Sequence, residues 1–285
     1  MSLFEIVPNL SEGRDASTID AAIDAVRATG AHVLHRTSDP IHHRSVITAV
    51  GSGSQVVAAS VALARVARER IDLRDHAGAH PRIGALDVLP FVPLANATLD
   101  EAVTLAHRAA ARIWREVGVP SYLYGAAASA PHREHLAEIR RGGFEGLGAR
   151  LEASTEWRFD YGDAAHASAG AIAVGARPFL IAFNVELASS DLNVAKRIAR
   201  TLRASSGGLR TLKCLGIRLD AARVQISCNI TDVDAIPLYR VTELVRLAAS
   251  RAGVAVARSE LIGLAPAAAV ERTARAYETA GRALK

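Results

Sequence analysis

The stretch Phe179-Leu180-Ile181-Ala182-Phe183-Asn184-Val185-Glu186 puts large apolar residues at every second position, the pattern of a strand with one buried face. The residues C-terminal to it decide the fold. Asp191 is placed to cap a helix bearing Val194, Ile198 and Leu202 at helical spacing. Leu212 to Leu219 and Val224 to Asn229 then read as a hairpin, Pro237 opens a helix with Val241, Leu244 and Val245, and Val254 to Ile262 closes with a strand. The order is βαββαβ, the split βαβ arrangement of ferredoxin-like domains.

The first half repeats the string. Leu3 to Val7 reads as a short buried strand, Ser17 to Thr29 as a helix through Ile19, Ile23 and Val26, and His32 to Thr37 and Ser45 to Val50 as two strands. A helix over Ser54 to Ile71, through Val57, Val61 and Ala64, and a strand over Asp87 to Val92 complete it. Beyond it lie an amphipathic helix at Asp100 to Val117, a brief strand at Ser121 to Tyr124 and a charged helix at His132 to Arg141. Residues 142–170 are rich in Gly, Ala and Ser and carry no clear period. A terminal helix is expected over Pro266 to Ala283. The fold class is α/β (α+β), with two ferredoxin-like βαββαβ subdomains at 1–175 and 176–285.

Composition bounds the function. With 285 residues, half of them hydrophobic, the chain can bury one large core or two smaller ones. A formal charge of +5 favours anionic ligands without demanding a nucleic acid. Paired ferredoxin-like domains also grip RNA, but that use needs aromatic side chains on the sheet. Only 5% of this chain is aromatic, so nucleic acid is not the expected partner. The N-terminal residues Met1-Ser2-Leu3-Phe4-Glu5 lack a signal-peptide pattern, and no uninterrupted apolar run approaches about 18 residues. A soluble cytoplasmic protein with no membrane partner is the expectation. Cys214 and Cys228 are too few and too isolated for a disulfide framework or a zinc site, and on the expected hairpin they could sit almost opposite each other. A disulfide there is possible by position, but cytoplasmic thiols normally stay reduced.

The densest chemistry lies in Asp75-His76-Ala77-Gly78-Ala79-His80-Pro81-Arg82-Ile83-Gly84-Ala85-Leu86-Asp87. Two glycines and a proline forbid a regular helix or a central strand, leaving a stiff loop with His80 beside Arg82. An imidazole next to a fixed cation suits proton transfer on an anionic substrate, and a solvated charged turn fits the same spacing. His76 and His80 are four apart, but Gly78 and Pro81 break the helix a metal pair needs, so no metal site is expected. His42 and His43 point to opposite faces if extended, and at most one faces a site.

Several segments, in order, resemble the glutamate formimidoyltransferases, the transferase portion of formimidoyltransferase-cyclodeaminase. They are Val7-Pro8-Asn9-Leu10-Ser11-Glu12-Gly13-Arg14, His43-Arg44-Ser45-Val46, Gly78 to Val88, Val119-Pro120-Ser121-Tyr122-Leu123-Tyr124-Gly125, Gly175 to Asn184, and Ser259-Glu260-Leu261-Ile262-Gly263-Leu264. Together they cover almost the full chain. The resemblance implies transfer of a formimino group from N-formimino-L-glutamate to N5 of tetrahydrofolate, with tetrahydrofolate as co-substrate in a groove between the subdomains. It also implies a homodimer, a place in histidine degradation, and a separate cyclodeaminase acting on the product. Ala126 stands where the family often has Glu, His43 where Asn is common, and Ile41 in a usually polar stretch. Those departures keep formylglutamate or another one-carbon donor open, and with it a folate-binding paralogue without catalysis.

By the same resemblance His80 is the catalytic histidine. One imidazole can take the proton from attacking N5 and return it to the departing glutamate nitrogen. Arg44 and Arg82 match family positions that suit a carboxylate clamp, with Arg14 and His43 as further substrate-binding candidates. The folate-binding segment aligns with Gly162, Asp163, Ala164, Ala165, His166, Ala167, Ser168, Ala169 and Gly170.

Overall fold

The computed structural model describes residues 2–78 and 80–283; Ala79 of the histidine loop lies outside them. The chain divides into two compact units, Met1–Pro178 and Phe179–Lys285.

The first unit runs β1 (Phe4–Ile6), β2 (Asn9–Leu10), α1 (Ala16–Arg27), β3 (His32–Asp39), β4 (Arg44–Gly51), α2 (Gly53–Arg70), β5 (Leu86–Pro93), α3 (Leu99–Val117), β6 (Ser121–Gly125), α4 (Leu136–Ile139), α5 (Leu147–Ala153) and β7 (Ile172–Ala176). β1 and β2 lie end to end between β4 and β5 and pair antiparallel with both. β3 extends the sheet beyond β4. On the other side β5, β7 and β6 run parallel.

Local chemistry sets the helix ends. Ser52 with Gln55, and Thr98 with Glu101, form reciprocal capping boxes at α2 and α3, and Gly118 ends α3 with φ +73°. Asp15 caps α1 through Ser17 N–H. The apolar faces of α1, α2 and α3 cover one side of the sheet and bury Ile6, Leu10, Ile47, Leu89 and Phe91. A smaller cluster of Val88, Tyr122, Tyr124, Ala173, Ile139 and Leu147 covers part of the opposite side, beneath α4 and α5.

The structure adds a strand that the sequence pattern did not announce, since β7 inserts between β5 and β6 and completes the first sheet. One sequence expectation is corrected. The continuous helix expected over His132 to Arg141 is broken into a 3-10 turn at Pro131–Arg133 and the short α4. Its sequence offers charged residues but no apolar stripe, and tertiary partners win. Arg133 is drawn down onto Asp160 at 2.7 Å and onto the carbonyls of Glu156 and Arg158, while Arg150 donates to the carbonyls of Glu138 and Ile139.

The second unit contains β8 (Ile181–Leu187), α6 (Leu192–Leu202), β9 (Leu212–Arg218), β10 (Val224–Ile230), α7 (Leu238–Arg251), β11 (Val256–Ile262) and α8 (Ala267–Ala283). Its strands are antiparallel in the order β11-β8-β10-β9. Asp191 caps α6 through Asn193 N–H. Ile181, Phe183, Val185 and Leu187 face a core with Ile198, Ile226 and Val241. Cys214 and Cys228 are directly opposed on β9 and β10, both free thiols with Sγ atoms 3.2 Å apart.

Candidate active site

Three loops of the first unit meet at one end of its sheet: 11–14 after β2, the turn 40–43 between β3 and β4, and 71–85 before β5. Backbone packs on backbone there. A Cβ on Gly78 would lie 2.5 Å from the carbonyl oxygen of His42, so only glycine fits that crossing. Arg14 ties the loops by donating to the carbonyls of Pro40 (3.0 Å) and Ala77 (3.1 Å).

His43 sits in the left-handed region at φ +48°, so the alternation expected for an extended His42-His43 pair does not hold. Its turn is built by Asp39, which accepts the N–H groups of Ile41 and His42 and contacts Nδ1 of His42 at 2.7 Å. His43 Nδ1 accepts the N–H of Gly13 at 3.1 Å, which places the ring proton on Nε2. The rings of His43 and His76 stack at 4.3 Å. Nε2 of His76 lies 3.0 Å from the carbonyl of His43, while its buried Nδ1 has no partner among the described residues. Burial lowers the pKa of both rings, and nearby guanidinium groups push in the same direction.

His80 contacts the carbonyl oxygen of Pro81 through Nδ1 at 2.7 Å. A carbonyl only accepts, so Nδ1 carries the proton and Nε2 holds the lone pair. Burial first, then the charges of Arg44 and Arg140, push its pKa down to about 3, against the opposing pull of Asp87. At neutral pH the ring is therefore a neutral imidazole, with Nε2 as its accepting nitrogen.

Beneath it lies a buried ion cluster. The register between β2 and β5 slips at Asn9 and Leu10, which pair with Val88 and Leu86, so Asp87 is the extra residue of a bulge. Asp87 has no solvent exposure. Its Oδ2 accepts from Arg44 at 2.8 Å and from Arg140 at 2.5 Å, and its Oδ1 accepts the N–H of Ile83. These partners hold its carboxyl far below the usual carboxylate range despite burial. Arg44, 8% exposed, also donates twice to Asn9 Oδ1. Burial pushes its own pKa down to about 10, and Asp87 opposes that shift. Arg82 bonds Glu145 at 2.8 Å and the carbonyl of His76 at 3.1 Å.

The segment 162–170 divides. Ser168 and Ala169 are strapped beside the histidine loop, their carbonyls accepting from Leu73 and Ala85, and Gly84 bridges Gly170. Neither glycine tolerates a side chain. A Cβ on Gly84 would lie 2.1 Å from the oxygen of Ala171, and one on Gly170 would lie 2.0 Å from that of Ile83. His166 turns inward, its Nδ1 accepting from the N–H groups of Ser168 and Ala169. Asp163, Ala164 and Ala167 are exposed and Ala165 is half-buried, whereas Gly162 packs against Pro120 and Trp114. Among the described residues no group of three His, Cys, Asp or Glu side chains is placed to hold a metal ion.

Comparison with known proteins covers nearly the whole chain. Residues 3–177 match the formiminotransferase domain, N-terminal subdomain, and residues 182–283 match the formiminotransferase domain. The chain belongs to the formiminotransferase family. It is 41% identical over 278 residues to the glutamate formimidoyltransferase of Streptococcus pyogenes serotype M1, covering 96% of this chain and 93% of that one. Identity to the glutamate formimidoyltransferase of Thermoplasma acidophilum is 43% over 280 residues, covering 97% and 92%. The formimidoyltransferase-cyclodeaminase of Rattus norvegicus is 39% identical over 284 residues, and this chain spans 52% of its length.

Of the residues at this candidate site, the sequence pointed to His80, Arg44, Arg82, Arg14 and His43, and the fold gathers all five around the three loops. It gave no role to Asp87, Arg140, Glu145 or Asn9. For Asp87 the signal was present, a carboxylate inside an otherwise apolar strand. For Arg140 there was none, since it stands in a run of charges beside Arg141.

Proposed function

We propose that this chain is a glutamate formimidoyltransferase, moving the formimino group of N-formimino-L-glutamate to N5 of tetrahydrofolate. The observation that carries the reading is His80, whose Nδ1 proton is engaged by the carbonyl of Pro81, leaving Nε2 as the ring's accepting nitrogen. N5 attacks the amidine carbon, and His80 Nε2 removes the proton that N5 then carries as an ammonium. The same proton is returned to the glutamate nitrogen, the carbon–nitrogen bond breaks, and the formimino group is left on N5 with glutamate as the amine product. The proton taken from one nitrogen ends on the other, so the imidazole is regenerated.

In this reading Arg44 and Arg82 face the carboxylates, while Arg14 and His43 hold the loop frame that presents them. Gly162 to Gly170 contacts the pterin through backbone groups and small side chains, because the His166 ring is turned into its own loop. A homodimer, a cytoplasmic location, a role in histidine degradation and a downstream cyclodeaminase belong to the same proposal. For location, the structural fact is that no described helix is long and apolar enough to cross a membrane.

The test is to incubate purified protein with tetrahydrofolate and either formiminoglutamate or formylglutamate, following the folate product by absorbance. Product from formiminoglutamate supports the reading. Product from formylglutamate alone replaces the donor, and no product from either removes the activity.

A further inference from the structure

One carboxylate cannot neutralise two guanidinium groups. Arg44 and Arg140 both donate to the same oxygen of Asp87, whose other oxygen is taken by a backbone N–H. The cluster therefore keeps a net positive charge in a setting where Asp87 is fully buried and the Arg140 side chain is 14% exposed. Arg140 is also under-used as a donor. Among the described residues its only hydrogen-bond acceptor is Asp87, and its buried Nε–H has none. Arg44, by contrast, is held by Asn9 as well. A buried excess cation with spare donors, on the same cluster as the proton-accepting histidine, is the arrangement an anion completes.

We propose that Arg140, with Arg44, forms a subsite for the α-carboxylate of the amino-acid donor. The identity of that donor rests on the proposed transferase activity. Chemistry selects the α-carboxylate. It is attached to the carbon that bears the departing nitrogen, so a cation beside His80 meets it when that nitrogen is protonated. The carboxylates of the folate tail are separated from N5 by the whole aminobenzoyl group, and the donor's γ-carboxylate lies two methylenes further away. Arg140 acts here as a substrate-binding residue.

The test is calorimetric titration with L-glutamate, which carries the α-carboxylate, and with 4-aminobutyrate, which lacks it, on wild type, Arg140→Gln and Arg140→Lys. Arg140→Lys keeps a cation against Asp87, which guards the fold. L-glutamate is expected to bind each variant about tenfold or more weakly, the usual scale for losing a charged hydrogen bond. Affinity for 4-aminobutyrate is expected to stay within about twofold of wild type, and the KM for formiminoglutamate to rise in parallel with the loss of L-glutamate binding. Wild-type affinity for L-glutamate in either folded variant overturns the subsite, and so does an equal loss for both ligands. Arg140-dependent binding in a protein that transfers nothing keeps the subsite and removes the transferase reading. Normal transfer with Arg140 indifferent does the reverse.

Discussion

Nδ1 of His80 lies 2.7 Å from the carbonyl oxygen of Pro81, the next residue in the chain. Because the proline fixes its own φ, this contact sets the tautomer without help from a distant side chain. His80→Ala is expected to lower turnover about a hundredfold or more, the scale of a lost general acid/base. Thermal melting measured alongside should change little, since the ring packs in a loop rather than in either main core. Near-normal turnover in a folded variant would remove His80 from the reaction.

The pH dependence comes from the same ring. Its folded pKa of about 3 lies below the ordinary 6.5, so the native state keeps the imidazole neutral where an unfolded chain would take up a proton. On the sign, His80 therefore costs stability as pH falls from 6.5 towards 3, and leaves the base form intact over that window. The kcat/KM profile between roughly pH 5 and 8 should show no acid limb near 6.5. A limb there that disappears in His80→Gln would contradict the buried, neutral histidine.

Asp87→Asn should be strongly destabilising. The substitution keeps the shape of the side chain but leaves Arg44 and Arg140 facing each other with no neutralising charge, at a cost of about 3–5 kcal/mol. Urea denaturation measures it, and a loss under about 1 kcal/mol would show that the pair is solvated.

Gly84→Ala tests the strap between the histidine loop and residues 168–170. Its new Cβ would meet Ala171 O at 2.1 Å and Leu86 O at 2.6 Å, both backbone atoms, so the strand must move. A loss of about 1–3 kcal/mol is expected, with weaker tetrahydrofolate binding. Gly148→Ala is the control, since nothing lies within 4 Å of its added Cβ in α5. It should be neutral or stabilising by about 0.4–1 kcal/mol. Equal behaviour of the two variants in denaturation would discard the steric argument.

The second unit carries its own core, from Ile181 through Ala269. A fragment covering 179–285 should unfold cooperatively by circular dichroism, as an independently folding domain does. A broad, non-cooperative transition would show that its core needs the first unit.

Much of the fold was legible because periodicity is a property of chain neighbours. Phe183 and Val185 on β8, or Ile19 and Ile23 on α1, declare a buried face without knowledge of what covers it. The five residues of β7 gave no such signal. Ile172, Ala173, Val174, Gly175 and Ala176 are buried on both sides between parallel partners, so no alternation marks them, and the pairing with β5 and β6 makes them a strand. His80, too, was visible in advance, because Gly78 and Pro81 constrain the loop locally.

What the sequence determined by itself was the succession of elements, the stiff histidine loop and the resemblance carried by its motifs, all of which depend on residues near one another in the chain. The tertiary structure decided which charges belong to the site. Arg140 and Arg141 are adjacent and identical, yet Arg141 pairs with Glu138 on the surface while Arg140 reaches a buried carboxylate 53 residues away. Charge neutralisation depends on separation in space and on exclusion of water, and neither is a function of separation along the chain.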